Sequence, residues 1–452
     1  MIWKWKFYRI ESRCAIQFTI LKKSLTWYKQ HLVRAFRIES WFRKEGHMGK
    51  ELEGIKVIEV GGAVAMPLAG MLMGSWGADV IHVEPPGVGD NWRQVLGQGM
   101  GGWAKPHQIN YYWEHTDRNK KSIAINLGSK EGQSVLHKLI ASADVFLNNL
   151  RPYEMEKFNL TYKILSKMNP KLVYANVTGY GQQGPEKDAG GYDSVSFWAR
   201  SGVMDLMHDA DNAPNISRPG YGDSITSLSL LAGVMAALYI REKTGVSQQV
   251  EVSLYNTASW VLGYDTAGCL VTGEDAVRPQ RKSMGNPIRN VYATQDKRWI
   301  MLGMTNAQHY WPNFCKTIER PELEKDPKFA TLKAREQNAS DLVKIIEEIF
   351  SGKTLSEWVS ILSATNLIWS AAATPLEVTK DKQAIENEFF VHWDHPVYGK
   401  MKVLNNPIKL SATKAEIQSK APALGEHTDQ IMKDLGFSEL EIERLKTSGA
   451  VK

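Results

Sequence analysis

Residues 55–84 read IKVIEVGGAVAMPLAGMLMGSWGADVIHVE, and this stretch decides the fold. Its two ends, IKVIEV and DVIHVE, are short and apolar on both faces, which is typical of strands in a parallel sheet. Between them, a loop of small residues leads into AMPLAGMLMGSWG, which is predicted to be a helix. The stretch therefore predicts a β-α-β unit, in which one helix connects two parallel strands.

The same alternation of short strands and helices continues along the chain. It predicts an α/β fold with a doubly wound, mostly parallel sheet in a Rossmann-like large domain. The further predicted strands are SIAINL at 122–127, DVFLNN at 144–149 and LVYANV at 172–177, and the predicted helices are 130–141, 154–167 and 223–243.

The pattern changes at about residue 245, where short strands alternate with helices and predict a second, smaller α+β domain. A chain of 452 residues is also too long for one ordinary core, which supports two domains. The predicted parts are a basic N-terminal extension outside the fold at 1–47, the first part of the large domain at 48–244, the small domain at 245–380, and a crossing segment with the C-terminal part of the large domain at 381–452.

The positive charge of the chain is concentrated in its first 47 residues. They contain 11 Lys and Arg and 3 Glu, a net charge of +8, whereas the whole chain has +6, so the rest carries 6 − 8 = −2. A nearly neutral body argues against nucleic acid as a partner. The basic, Trp-rich segment is also typical of interfacial membrane helices and targeting peptides. Because it lies outside the fold pattern, we expect translation to start at Met48 and expect no membrane partner.

The cysteines and histidines form no metal or disulfide pattern. Cys14, Cys269 and Cys315 lie far apart, so they offer neither a disulfide framework nor paired metal ligands. His392 and His395 are close, but HWDH at 392–395 has no third ligand beside it in the sequence. We therefore predict no bound metal and a reducing, cytoplasmic location.

The first β-α-β unit also has one feature of a dinucleotide site. Glu84 ends the second strand 84 − 61 = 23 residues after Gly61, near the spacing of a ribose-binding acid. The loop at 61–66, however, reads GGAVAM and lacks the later glycines of G-x-G-x-x-G. Without them a pyrophosphate cannot approach the helix N-terminus closely, so NAD is disfavoured.

A single carboxylate lies on a glycine turn before the long apolar helix, in RPGYGDSITSLSLLAGVMAALYIREKTG at 218–245. Asp223 and Ser224 are both good N-cap residues, so Asp223 has a simple structural explanation. The alternative is a nucleophile, since Gly222 lets a large reactant approach and helix-entry N–H groups keep a carboxylate ionised. Ionised carboxylates form covalent acyl intermediates.

Eight motifs in a fixed order favour the second explanation. They are LEGIKVIEVGG at 52–62, GADVIHVEPPGVGD at 77–90, NKKSIAINL at 119–127, ADVFLNNLRP at 143–152, GYGQQGP at 179–185, GYD at 191–193, GD at 222–223 and LGEHTD at 424–429. Together they resemble the class III CoA-transferases, the formyl-CoA and carnitine CoA-transferase family that also contains the 2-methylacyl-CoA racemases. The resemblance runs from about Glu51 to about Asp434. It implies a large domain built from both chain ends, an inserted small domain and an interlocked homodimer.

The resemblance also implies roles for individual residues. The family aspartate that forms covalent acyl intermediates falls on Asp223, and an acid that stands beside it falls on Asp193. A turn in the glycine-rich GGYD loop is the other explanation for Asp193. The implied coenzyme A contacts are Val64, Ala65, Ile125, Asn149, Leu150, Arg151, Lys157 and Tyr192. Lys157 replaces an arginine of relatives and cannot make the bidentate contacts of a guanidinium. For both Arg151 and Lys157, a solvated surface charge is the alternative explanation.

The predicted function is transfer of CoA from an acyl-CoA donor to a free carboxylic acid, through aspartyl anhydride and aspartyl-CoA thioester intermediates. The coenzyme A thioester is a substrate, and no permanently bound cofactor is expected. Racemase chemistry on a 2-methylacyl-CoA is the alternative, but the racemases have a histidine where this chain has Tyr192, a poor proton carrier at neutral pH. A non-catalytic CoA-binding protein is a further alternative, opposed by the intact Gly222-Asp223-Ser224.

Overall fold

The computed structural model describes residues 51–95, 107–209, 212–278 and 280–452, so the predicted N-terminal extension lies outside the described residues. Its central feature is a six-stranded sheet with the order β3-β2-β1-β4-β5-β6, in which every neighbouring pair is parallel. The predicted parallel α/β sheet is therefore confirmed. The strands are β1 Lys56–Val60, β2 Asp79–Glu84, β3 Lys120–Ala124, β4 Val145–Asn148, β5 Val173–Thr178 and β6 Gln249–Ser253.

Helices cover both faces of this sheet, as a doubly wound fold requires. Neighbouring residues of β1 point to opposite faces, with Ile58 in one hydrophobic core and Val57 in the other. Both side chains are fully buried, which explains why the strand is apolar on both faces. The helices of this part are α1 Ala65–Ser75, α2 Tyr111–Asp117, α3 Lys130–Ala141, α4 Pro152–Lys157, α5 Tyr162–Met168, α6 Val203–Leu206, α7 Tyr221–Thr244, α8 Leu254–Val261 and α9 Gly263–Thr272, with a π-helix at Asp193–Ala199 and a 3-10 helix at Asn91–Arg93.

The single helix predicted over 154–167 is wrong, because two short helices fill this stretch. Asn159 has a left-handed backbone (φ 58°) between α4 and α5, and such a conformation ends an α-helix. Thr161 then precedes the first residue of α5 in an extended conformation. The break turns the chain after α4.

The region of the predicted small domain has its own hydrophobic core. Strands β7 Val291–Ala293, β8 Trp299–Leu302 and β9 Trp369–Ala371 form an antiparallel sheet, which packs around large buried side chains such as Trp311 and Trp358. Its helices are α10 Ala307–Thr317, α11 Leu332–Gln337, α12 Ala339–Phe350 and α13 Leu355–Ser363, with 3-10 helices at Arg281–Ser283 and Pro321–Glu324. Strand β6 pairs with β5, so the large sheet continues past residue 245; the domain bounds stay predictions.

The last part of the chain returns to the large sheet. His427 Nδ1 accepts a hydrogen bond from the Ser122 backbone N–H at 3.2 Å, and Val451 pairs with Ile125 beside β3. The hydrophobic core that contains Ile58 is thus built from both halves of the chain. The elements here are α14 Pro375–Val378, α15 Lys382–Glu386, the antiparallel hairpin β10 Phe390–His395 and β11 Gly399–Leu404, α16 Thr428–Asp434 and α17 Glu439–Thr447.

Among the described residues, one helix is long and apolar enough to cross a membrane, by length and composition only. This is α7, whose apolar window is 33% buried. Its buried face contributes Leu230, Leu231 and Val234 to the hydrophobic core that contains Val57, against the sheet. The apolar composition of α7 is therefore explained in part by its place in the fold.

Candidate active site

A cavity of about 320 Å³ opens at the carboxyl ends of β1, β4 and β5. Chain order in the sheet reverses between β1 and β4, and in open α/β sheets this reversal creates a crevice that binds ligands. Residues that follow β1, including Gly62 and Ala63, form one wall, and Asn149, which follows β4, forms another. The glycine-rich loop at 189–191 and Asp223 complete the lining.

Asp223 lies in the first turn of α7 and does not cap it. The N-cap is Gly220, whose left-handed backbone (φ 75°) is readily adopted only by glycine, so the capping explanation for Asp223 and Ser224 is wrong. The Ser224 hydroxyl instead donates to the Gly220 carbonyl at 2.7 Å. Asp223 is half-buried and lines the cavity, where its carboxylate is open to a ligand.

The helix N-terminus binds the other carboxylate of the pair. Asp193 begins the π-helix, and each of its oxygens accepts a hydrogen bond of 3.2 Å from the Gly222 backbone N–H. A Cβ on Gly222 would lie 2.4 Å from Asp193 Oδ1 and 2.2 Å from Phe197 Cγ. The absent side chain of Gly222 therefore lets Asp193 and Phe197 pack against the helix, a different use of that space from the one expected.

Both carboxylates hold their protons to unusually high pH. Burial raises the pKa of Asp223 to about 7, and the negative charge of Asp193 adds to this effect. Burial likewise raises the pKa of Asp193 to about 6, although backbone hydrogen bonds led by that of Gly222 oppose the rise. The expectation that helix N–H groups would keep Asp223 ionised is therefore wrong, since they bind Asp193. The pair changes charge close to neutral pH.

Most of the predicted coenzyme contacts lie around this crevice. Val64, Ala65, Asn149, Arg151 and Tyr192 line the same cavity as Asp223. Ile125 and Leu150 line a neighbouring cavity of about 450 Å³, which shares Gly62 and Asn91 with the first. Lys157 lines neither; it is exposed at the end of α4, with its ammonium 5.3 Å from the ring centroid of Phe158, a residue of the second cavity.

Two of these residues already have partners in the protein. The Asn149 amide donates to the Gly62 carbonyl at 2.7 Å and accepts from the Gly62 N–H at 3.1 Å, which joins the loops after β1 and β4. The Arg151 guanidinium is paired with Glu154, with Nη2 3.0 Å from Oε1. A phosphate that binds Arg151 would therefore share it with a carboxylate.

Sequence reasoning missed three residues of this crevice. Glu154 and Asn91 line the first cavity, and Asp90 holds its wall by accepting a hydrogen bond of 3.1 Å from the Ala63 N–H. The spacing of Arg151 and Glu154, three residues apart at the start of a helix, was a usable signal. Nothing near Asp90 in the sequence points to Ala63, which is 27 residues away.

One group in the described part of the chain has the geometry of a metal site. Ligand atoms of Glu59, His82 and Asp117 lie within 4.8 Å of one another. The Lys120 ammonium lies between the two carboxylates, 2.9 Å from Glu59 Oε2 and 3.0 Å from Asp117 Oδ1. A lysine cation thus already balances these acids.

The sequence model of CoA-transferase family III matches residues 52–428, which is most of the chain. The chain belongs to CoA-transferase family III. Its similarity to (R)-2-hydroxy-4-methylpentanoate CoA-transferase of Clostridioides difficile is 32% identity, over 89% of this chain and 99% of the relative. The cinnamoyl-CoA:phenyllactate CoA-transferase of Clostridium sporogenes is 30% identical, over 87% of this chain and 95% of the relative.

Solved structures of similar proteins have the same fold. A CAIB/BAIF family protein from Brucella suis superimposes with a TM-score of 0.73 at 27% identity, covering 86% of this chain and all of that protein. The relatives from Clostridioides difficile and Clostridium sporogenes are named CoA-transferases, and CoA-transferases act on CoA thioesters. This family III CoA-transferase therefore presents a crevice at the sheet edge in which a carboxylate pair meets most of the residues expected to contact the coenzyme.

Proposed function

We propose that this enzyme reversibly transfers CoA from an acyl-CoA to a free carboxylic acid, with Asp223 as the covalent nucleophile. The observation that carries the proposal is the position of Asp223, which lines the crevice beside Asp193. A pKa of about 7 also supports it, because such a carboxylate is available near neutral pH and more basic than an ordinary aspartate. Metal and redox chemistry have no step to supply in this exchange.

The transfer has four steps. The Asp223 carboxylate attacks the thioester carbonyl; a C–O bond forms, the C–S bond breaks, and an aspartyl anhydride and CoA thiolate result. The thiolate attacks the aspartyl carbonyl, which gives an aspartyl-CoA thioester and releases the first acid as its carboxylate. The acceptor carboxylate attacks this thioester, forming a second anhydride and thiolate. The thiolate then attacks the acceptor's acyl carbonyl, which gives the new acyl-CoA and regenerates Asp223.

Surrounding groups support these steps. Gly190 and Gly191 line the crevice, and backbone N–H groups of such a loop stabilise the oxyanions of tetrahedral intermediates. Asp193, hydrogen-bonded to Gly222, orients the turn that presents Asp223. Arg151 offers a cation to the phosphates of the coenzyme. Tyr192 lines the same cavity, which supports transfer over α-proton chemistry.

Substitution of Asp223 tests the proposal. Asp223→Ala and Asp223→Asn should lose all measurable transfer yet retain CoA binding, because neither side chain can form the anhydride. Hydroxylamine added to wild-type enzyme with an acyl-CoA should leave a hydroxamate at residue 223. Asp341→Asn, an exposed change in α12, should leave the rate unaltered. The acids named for the relatives are suitable first acceptors.

Two results would contradict the proposal. Substantial activity in Asp223→Ala, together with complete loss in Asp193→Ala, would move the covalent role to the GYD loop. Exchange of the α-hydrogen of a chiral 2-methylacyl-CoA in deuterated water, without transfer, would establish the racemase alternative instead.

We also propose that the enzyme acts as a homodimer with interlocked chains. Trp260, Tyr264, Leu270 and Val271, on or beside α8 and α9, are each more than four fifths exposed in the single chain. Clustered exposed apolar side chains of this size are typical of a protein interface.

We further propose a reducing, cytoplasmic location, which the free thiols of Cys269 and Cys315 support. We propose that neither nucleic acid nor a membrane is among the partners of the enzyme.

A further inference from the structure

A network of buried charged side chains crosses the sheet beneath α1. Glu59 of β1, His82 of β2 and Lys120 of β3 lie on neighbouring strands, and all three are at most 3% exposed. The Lys120 ammonium donates to Glu59 at 2.9 Å, to Asp117 at 3.0 Å and to the Pro67 carbonyl at 2.8 Å. Its three N–H groups thus all have acceptors, and the Lys120 end of the network is fixed in place.

His82 lies between two carboxylates. Its Nδ1 is 3.0 Å from Glu59 Oε2, and its Nε2 is 3.4 Å from Asp90 Oδ2. The Nδ1 contact is a hydrogen bond, whereas Nε2 and Asp90 form an ion pair without hydrogen-bond geometry. Burial lowers the pKa of His82, but the two carboxylates outweigh burial and raise it to about 10. The ring is therefore a cation at neutral pH.

Asp90 connects this cation to the crevice. It accepts hydrogen bonds from the Ala63 N–H, at 3.1 Å to Oδ2 and 3.3 Å to Oδ1. Ala63 has a left-handed backbone (φ 67°), a conformation that is unfavourable for a residue with a side chain. A Cβ on Gly62 would lie 2.3 Å from Asp90 Oδ2, so the carboxylate packs directly against this loop. Gly62 and Ala63 form a wall of the cavity that contains Asp223.

We propose that His82 is a positioning residue for coenzyme A, because its imidazolium orients Asp90, and Asp90 holds Ala63 in the strained conformation that shapes the crevice wall. The inference rests on the proposed binding of CoA in this crevice. None of the network residues lines the cavity that contains Asp223. Without the imidazolium, Asp90 would lose its ion-pair partner, because Lys120 pairs with Glu59 and Asp117, and repulsion from these carboxylates would favour movement of Asp90 away from Ala63.

Three variants test this role through binding and turnover. His82→Gln removes the charge and should weaken the affinity for free CoA, measured by calorimetry, by about tenfold or more, while kcat at saturating acyl-CoA changes less than about threefold. His82→Lys restores a buried cation and should recover most of the affinity. Lys121→Gln is the matched control, since Lys121 pairs with Asp79 at the exposed surface of the same two strands. It should bind CoA as the wild type does.

A double-mutant cycle separates positioning from a general structural role. Glycine adopts the left-handed conformation without strain, so Ala63→Gly should reduce the effect of His82→Gln on CoA affinity. Strictly additive effects, or unchanged CoA affinity in folded His82→Gln, would overturn the inference. Asp90→Asn supplies the same cycle if His82→Gln does not fold, and failure of both to fold would also overturn it. Wild-type enzyme that does not bind CoA would instead refute the proposed function.

Discussion

Asp223 must be ionised to attack a thioester, yet its surroundings favour the protonated acid. Burial and the charge of Asp193 raise its pKa to about 7. The nucleophilic form therefore appears as the pH rises through about 7. We expect kcat/KM to increase over the range from pH 6 to 8 and then level off, in initial-rate assays at fixed ionic strength. A profile that is flat down to pH 5 would contradict this assignment.

The charge of Asp193 gives this profile a second test. Asp193→Asn removes a negative charge beside Asp223, so the pKa of Asp223 should fall and the acid limb of the profile should shift to lower pH. Burial remains the larger cause, so the limb should stay above the ordinary value of 3.8. The maximal rate should also decrease, because Asp193 no longer orients Gly222 with two carboxylate oxygens. A shift to higher pH would contradict the electrostatic coupling.

The same raised pKa predicts that the nucleophile destabilises the fold. The folded state binds the Asp223 proton more tightly than the unfolded chain does, so protonation of Asp223 stabilises the fold. This stabilisation is complete below pH 3.8 and is lost as the pH rises through about 7, where the buried carboxylate becomes charged. Asp223→Asn stays neutral and should raise the free energy of unfolding at pH 8 by about 1 kcal/mol or more. Urea titrations at pH 8 and pH 5 measure this, and the gain should be smaller at pH 5.

At the scale of elements, Gly222 determines how α7 meets the π-helix. Gly222→Ala would place a Cβ 2.2 Å from Phe197 Cγ and 2.4 Å from Asp193 Oδ1, so the two helices must separate. Because Asp223 follows directly, we expect kcat/KM to fall by about 100-fold, with a smaller change in stability. The measurement is steady-state kinetics with thermal unfolding as a check on the fold.

Gly285→Ala is the matched control for this substitution. An added Cβ at residue 285 would meet only the Glu336 side chain, at 3.6 Å, which is an ordinary contact. Its kcat/KM should remain within about twofold of the wild-type value. Equal losses in both variants would show that the separation of α7 from the π-helix is not the cause.

Local sequence signals located the elements well where one signal dominates. The helix predicted over 130–141 has the bounds of α3, whose N-cap Ser129 accepts from the Gly132 N–H. Where signals compete, tertiary structure decides. Asp223 and Ser224 are good caps, but Gly220 takes the cap because only glycine readily adopts its left-handed backbone. The π-helix at Asp193–Ala199 has no sequence signature that would have shown how Asp193 reaches α7.

At the scale of the molecule, the exposed apolar surface around α9 predicts the assembly state. Leu270→Asp combined with Val271→Asp would place two charges on this surface, and burial of unpaired charge is costly. The wild type should sediment as a dimer at micromolar concentration and the double variant as a monomer or an aggregate. Leu440→Asp, a change at an isolated exposed position in α17, should leave the dimer intact.

The candidate site was predictable in outline because a few contiguous motifs carry it. Val64, Ala65, Asn149 and Arg151 follow directly after strands whose carboxyl ends meet at one sheet edge, so the sheet order brings them together. The charge network was not predictable, because Glu59, His82 and Lys120 belong to three strands and acquire partners only when these strands pair. The direction of the Asp223 pKa depends on burial in the same way.

The return of the chain to the sheet near residue 425 has a consequence for synthesis. A ribosome that has reached residue 420 has produced all six strands, but the core on one face still lacks Ile431, Met432, Ile442, Leu445 and Val451. The apolar face of β3 and its neighbours therefore stays partly uncovered until residues 425–452 have been made. A nascent or prematurely terminated chain would expose this face to water, and such chains are natural clients for chaperones that bind exposed apolar segments.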